Sequence, residues 1–330
     1  RTMGYLHQQR GEQSQADEHY REAYELVKAQ VSQLKNGSPA NLTAEQLHSA
    51  IAELRASSLK VAPVEWESLL TVLIETYSQK PDKESEARPS DAEVVLVNLI
   101  FDQLINIRRQ RGDVTAGIAS LKAAMAYADA RLSERPGYGP FKARQSELHR
   151  IFARELPRIA AHLLKTGNVD QAKYIYDEMT KSFLAEDGTW DANLLNESSW
   201  YVALEKQQPV DAYAQALAWA ERAAEASPET GSILNTLGVA QYRAGHFKES
   251  LETLERSAKL NSKLSGVLIP ADVAFIAMAH HQLGHHDEAC KHLETLRDLL
   301  TWDQWKNDSQ NQRFLQEAKE LITKAAPSVP

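Results

Sequence analysis

"GSILNTLGVAQYRAGHFKESLETLERSAKLN" (residues 231–261) reads as two helices and the turn between them. Leu234, Leu237, Val239 and Tyr242 recur at helical spacing up to Gly245; Phe247, Leu251, Leu254, Ala258 and Leu260 do the same after it. Two amphipathic helices joined by so short a turn must run antiparallel and bury their apolar stripes on each other. Gly238 stands where the pair would approach most closely, because a side chain there would wedge the helices apart. Gly245 suits the left-handed residue that stops the first helix.

The same ruler can be laid along the rest of the chain. From Gly245 it reaches Ser250, Leu254 and Ser257; from Gly284 it reaches Ala289, Leu293 and Leu296. From Gly167 it finds Ala172, Tyr176 and Met179, and from Gly11 it finds Ala16, Tyr20 and Ala23. Gly112 with Gly117, Leu121 and Ala124 is a weaker copy. Another copy lacks the glycine but keeps Trp200, Ala216, Ala220, Ala223 and Pro228, with its turn expected near Asp211, 34 residues before Gly245. This arrangement resembles the tetratricopeptide (TPR) repeat, whose unit has that length. The resemblance implies an all-α, right-handed solenoid of antiparallel helix pairs, its concave wall built from the first helix of each pair.

About six pairs are expected. Residues 1–36 would form a truncated N-terminal pair, 42–79 a degenerate pair, 92–190 irregular pairs and 191–300 three regular pairs. Residues 301–330 would form a capping helix and tail, with Phe314, Leu315, Ala318, Leu321 and Ile322 on one face to cover the open end of the stack. Breaks with turn chemistry fall at 35–41, 80–91 and 134–140, and 262–269 reads as an insertion between helices.

Residues 190–323 are further similar to tandem TPR regions of large bacterial multidomain proteins, often found C-terminal to a Ser/Thr protein kinase domain. That similarity implies a scaffold segment of a larger signalling protein. The chain itself has no Gly-rich phosphate loop, no His-Arg-Asp and no Asp-Phe-Gly, so no catalytic residue is assigned. It starts at Arg1 inside a helical pattern, which reads as a piece of something longer. A net charge of −8 gives no support for broad binding to nucleic acid or an anionic membrane. The single cysteine suits a reducing, cytoplasmic setting.

One stretch competes with the scaffold reading. "AHHQLGHHDEACKH" (279–292) holds five histidines and Cys290, and the alternative is a metal-dependent enzyme using the turn 280–292. A zinc site needs three or four ligands converging on one point. The repeat register instead puts His280 and His281 at the end of one helix, His285 and His286 in the turn, and Cys290 at an apolar position of the next helix. No HExxH or paired-cysteine spacing occurs, so neither a metal nor a cofactor is expected.

The expected partner is a protein or peptide. Groove-facing positions, read as those opposite the packed stripe, are Tyr201, Asn235, Val239, Tyr242, Arg243, Phe275, Met278 and His281. Aromatic, Met and Arg side chains are the types that anchor protein interfaces. The TPR clamp for a C-terminal carboxylate combines Lys with Asn; Asn235 matches in part and no Lys accompanies it. Trp302 and Trp305 read as anchors of the capping segment, the alternative being an exposed interaction patch.

Overall fold

The computed structural model describes residues 3–36, 42–56, 63–77, 91–110, 112–134, 139–185 and 188–324. The expected breaks at 80–91 and much of 35–41 and 134–140 lie outside them. The described residues form fifteen helices and no strand, beyond one isolated bridge between Leu184 and Trp190. The fold is all-α. It divides into two compact units, residues 1–148 and 149–330.

The first unit holds α1 (Met3–Gln9), α2 (Gln13–Lys35), α3 (Ala44–Ala56), α4 (Pro63–Tyr77), α5 (Asp91–Gln110) and α6 (Val114–Glu134). Its core draws Val27 from α2, Leu47 and Ile51 from α3, Leu70 and Leu73 from α4, and Leu96 and Ile100 from α5. Helices α3 and α4 each pack on α2 and on α5. The division between the units falls within α7 (Gly139–Lys165).

The second unit continues with α8 (Val169–Ser182), α9 (Ala192–Ala203), α10 (Val210–Ala226), α11 (Gly231–Arg243), α12 (Phe247–Ser265), α13 (Pro270–Gln282), α14 (His286–Leu299) and α15 (Ser309–Lys324). Three of its helix-to-helix turns share one geometry. The Gly245 N–H donates to the Tyr242 carbonyl (3.0 Å) and the His246 N–H to the Gln241 carbonyl (2.9 Å). Gly284 with His285, Gly167 with Asn168 and, in the first unit, Gly11 with Glu12 repeat this pattern. All four glycines have φ between 76 and 87°. Their carbonyl-capping bonds close the helix end without side chains, and the left-handed conformation they need is the one glycine adopts without strain.

The pair α9–α10 turns differently from expectation. Asp211 lies in the first turn of α10, and the left-handed residue is Gln207 (φ 57°). The Tyr213 hydroxyl holds that loop, donating to the Glu205 carbonyl (2.7 Å) and accepting from the Gln208 N–H (3.2 Å). Half of the expected insertion at 262–269 is instead extra helix, because α12 runs to Ser265 and stops at Gly266 (φ 74°).

At Gly238, α11 and α12 approach closely. A Cβ there would stand 2.4 Å from Leu254 Cγ. Ser250 Oγ donates to the Gly238 carbonyl (2.7 Å) and Ser257 Oγ to the Gly231 carbonyl (2.9 Å), so two buried hydroxyls are satisfied along the same seam.

Candidate partner-binding groove

The first helices of the three regular pairs, α9, α11 and α13, carry the predicted groove residues. The structure buries most of them. Val239, Phe275 and Met278 are fully enclosed, Asn235, Tyr242 and the side chain of Arg243 nearly so, and Tyr201 and His281 are partly open. Most of these positions are thus covered rather than open, in part by the chain's own C-terminal helix.

Helix α15 packs on α13 and α14 as a capping helix would, and single side chains of it also reach α9 and α11. Its Phe314 ring stands edge-on to Phe275 of α13 (5.3 Å between centroids) and to Trp200 of α9 (6.1 Å). Its Glu317 accepts two hydrogen bonds from the Arg243 guanidinium of α11, at 2.5 and 2.9 Å. Outside this centre, Arg313 pairs with Glu205 (3.6 Å) and Glu320 with Lys206 (3.5 Å). Phe314, Leu315, Ala318 and Ile322 join Val239, Tyr242, Phe275 and Met278 in a single apolar core.

Arg243 is the pivot of this surface. Its Nε donates to the Ala203 carbonyl at the end of α9 (2.9 Å), and its guanidinium plane lies over the Phe275 ring at 5.0 Å. Burial works against its charge, but the Glu317 hydrogen bonds and carboxylate charge outweigh that and raise its pKa. The Tyr242 ring packs edge-on against Phe275 (5.3 Å), and burial raises its phenol pKa.

Asn235 is committed elsewhere. Its amide donates to Asp272 Oδ1 (2.7 Å), and Asn261 donates to the other oxygen (3.1 Å). Asp272 is wholly buried, and desolvation raises its pKa against those hydrogen bonds. The three residues tie α11, α12 and α13 together, which is a structural use of the side chain that matched half of a carboxylate clamp.

The histidines pair across the turn. His280 and His285 approach to 3.2 Å between their Nδ1 atoms, His292 stacks on His280 at 5.4 Å between centroids, and His281 meets His286 at 5.2 Å. Among the described residues no group of three or more His, Cys, Asp or Glu is arranged to hold a metal ion. Cys290 is exposed, contrary to its expected apolar position; Ala289 beside it takes the buried place. Of the two C-terminal tryptophans, Trp305 packs against the core while Trp302 is exposed.

Phe314, Glu317 and Trp200 were not assigned to the groove from sequence. The signal was present in α13, where the nine residues Ala271–Ala279 are all buried. A helix apolar on every side has no face left for solvent.

Among the described residues, no helix is long and apolar enough to cross a membrane. The family model of subunit 3 of the anaphase-promoting complex, or cyclosome, matches residues 210–296. None of the curated proteins compared matches the chain. Among solved structures, the MamA protein aligns at 13% identity over 71% of this chain and 97% of its own, with a TM-score of 0.31. The TPR2AB domain of yeast Sti1, in its complex with pHSP90, aligns at 12% over 94% and 98%, with a TM-score of 0.30. The assembly chaperone of RpL4 (Acl4) aligns at 15% over 92% and 97%, with a TM-score of 0.31. At such scores the superpositions carry no argument, and the repeat rests on turns, seams and the matched stretch. Residues 210–296, from α10 into α14, are TPR-like helix pairs.

Proposed function

We propose that this chain is a non-catalytic protein–protein interaction scaffold, binding a peptide or partner protein on the concave face of the pairs in 191–300. One observation carries the reading. Three successive first helices deliver aromatic, Arg and Met side chains to a common surface, where Arg243 lies against Phe275 and Tyr242. We assign Tyr201, Asn235, Val239, Tyr242, Arg243, Phe275, Met278 and His281 to that surface; Tyr201 and His281 are partly exposed, and Asn235 supports it from the α11–α13 seam. The matching family takes its name from a subunit of a multiprotein complex, which supports assembly through protein contacts. A place beside a kinase domain in a larger bacterial signalling protein, working in the cytoplasm, is the finer reading; it draws on the sequence similarity of 190–323 and the lone cysteine.

Tyr201→Ala with His281→Ala tests the reading in the full chain. Both side chains are partly exposed, so stability should change by under about 0.5 kcal/mol for each. Affinity capture on the wild type, followed by identification of the retained protein, supplies the partner. The double variant should keep its thermal midpoint and lose that partner. Undiminished retention by a folded double variant would refute the groove as the binding surface.

A further inference from the structure

Helix α15 is seated against α9, α11 and α13 much as a bound ligand would be. Its contacts have the anatomy of a recognition interface: an aromatic anchor and an arginine at the centre, ion pairs at the rim. The central ion pair is nearly closed to solvent, with 7% of the Arg243 side chain and 13% of the Glu317 side chain exposed. A buried ion pair adds little net stability, and in some proteins such groups serve to fix the register and identity of a partner. The fit is also incomplete. A cleft of about 280 Å³ remains between α15 and the end of α9, lined by Leu204, Glu205, Lys206, Arg313, Phe314 and Glu317 among others. An exposed segment, residues 301–308, ties α15 to α14, with only Trp305 partly covered.

We propose that the concave face of α9, α11 and α13 is a docking surface for an amphipathic helix of another protein, one that presents an aromatic anchor and, three residues on, a carboxylate to Arg243. Helix α15 is the internal occupant that such a helix displaces. The proposal rests on the scaffold reading above and narrows it to a partner chemistry. The incoming helix recovers what α15 gives up: an aromatic side chain against Phe275 and Trp200, and a two-oxygen acceptor for a guanidinium that is otherwise buried without its charge partner. Tethering puts α15 at an effective concentration on the order of millimolar, so a foreign helix competes only if it fits better or if α15 is loosened first.

The probe is a fluorescent synthetic peptide with the sequence of residues 309–324, added to the full chain and followed by anisotropy. The wild type should bind it weakly, because its own α15 holds the site. A chain carrying Phe314→Ala and Glu317→Ala should bind it at least about ten-fold more tightly. Arg313→Glu serves where the double variant fails to fold: it opens no cavity and sets a second carboxylate against Glu205, while the peptide keeps its arginine. Adding Arg243→Glu to the loosened chain should abolish binding of this peptide and restore binding of one in which Glu317 is Lys. A loosened chain that stays helical by circular dichroism yet binds no better than the wild type overturns the proposal, as does indifference to the charge exchange. A wild-type dimer that dissociates on Phe314→Ala with Glu317→Ala also overturns it, by making a second copy the occupant. If the folded, loosened chain ignores the peptide while partner capture still depends on Tyr201 and His281, this inference fails and the scaffold reading stands.

Discussion

Gly238 is the residue on which the pair α11–α12 is built. Glycine costs a helix interior roughly 1 kcal/mol relative to alanine, so it is kept only where space forbids more. Here a Cβ would stand 2.4 Å from Leu254 Cγ, an interior atom of a buried side chain rather than a free end. Gly238→Leu should therefore destabilise by at least about 1–3 kcal/mol, read from chemical denaturation, with Leu254→Ala recovering part of the loss. An unchanged midpoint would break the register. The histidines give a second test. The pKa values of His280, His281 and His292 are lowered, by burial first and then by histidine neighbours, while Glu255 and Glu288 pull the other way at His280 and His292. A folded pKa below the unfolded one gives stability that is present above the unfolded value and lost as pH falls through the folded one. The thermal midpoint should thus drop modestly as pH falls below 6.5, and replacing all three by Gln should flatten that slope. At this scale the sequence was partly legible. Gly238 and the turn glycines could be read because each has one physical use. Gln207 could not, because a non-glycine left-handed residue held by the Tyr213 hydroxyl leaves no mark in the local pattern.

Among the elements, α13 and α15 explain each other. Helix α13 offers no solvent face over Ala271–Ala279 since α11, α12, α14 and α15 all pack on it. Its amides should exchange with solvent more slowly than those of α9 or α11, although it lies close to the chain's end, and α15 should exchange fastest of the four. Hydrogen exchange resolved by peptide or by residue checks this order; equal rates in α13 and α15 would mean that the two open as one body. The helices themselves were readable from periodicity, including the apolar face of α15. What α15 would cover was not. Spacing reports which face of a helix is apolar, while the identity of the covering surface depends on contacts such as Arg243 with Glu317, 74 residues apart.

Over the whole molecule, the all-helical character and the TPR-like pairing of 210–296 follow from local rules, since each pair is closed by its own turn. The first unit was harder to read. Its helices α2, α3, α4 and α5 share one core in which α3 and α4 both pack on α2 and α5, a pattern that depends on distant partners rather than on a turn signature. The turns inside the second unit's pairs carry a further consequence. The joints at Gly167, Gly245 and Gly284 are standardised, and the next helix starts from nearly the same backbone angles each time, with φ of −86 or −87° and ψ of 60 to 67° at Asn168, His246 and His285. The joints between successive pairs follow no such standard: α12 overruns its pair to Gly266, and α10 hands over to α11 through Ser227–Thr230. Among the three glycine-turned pairs, variation in length is thus confined to the seams between modules, and each of them can be lengthened away from, or re-spaced against, its neighbour without rewriting its own interior; the pair α9–α10, turned through Gln207, stands outside that standard.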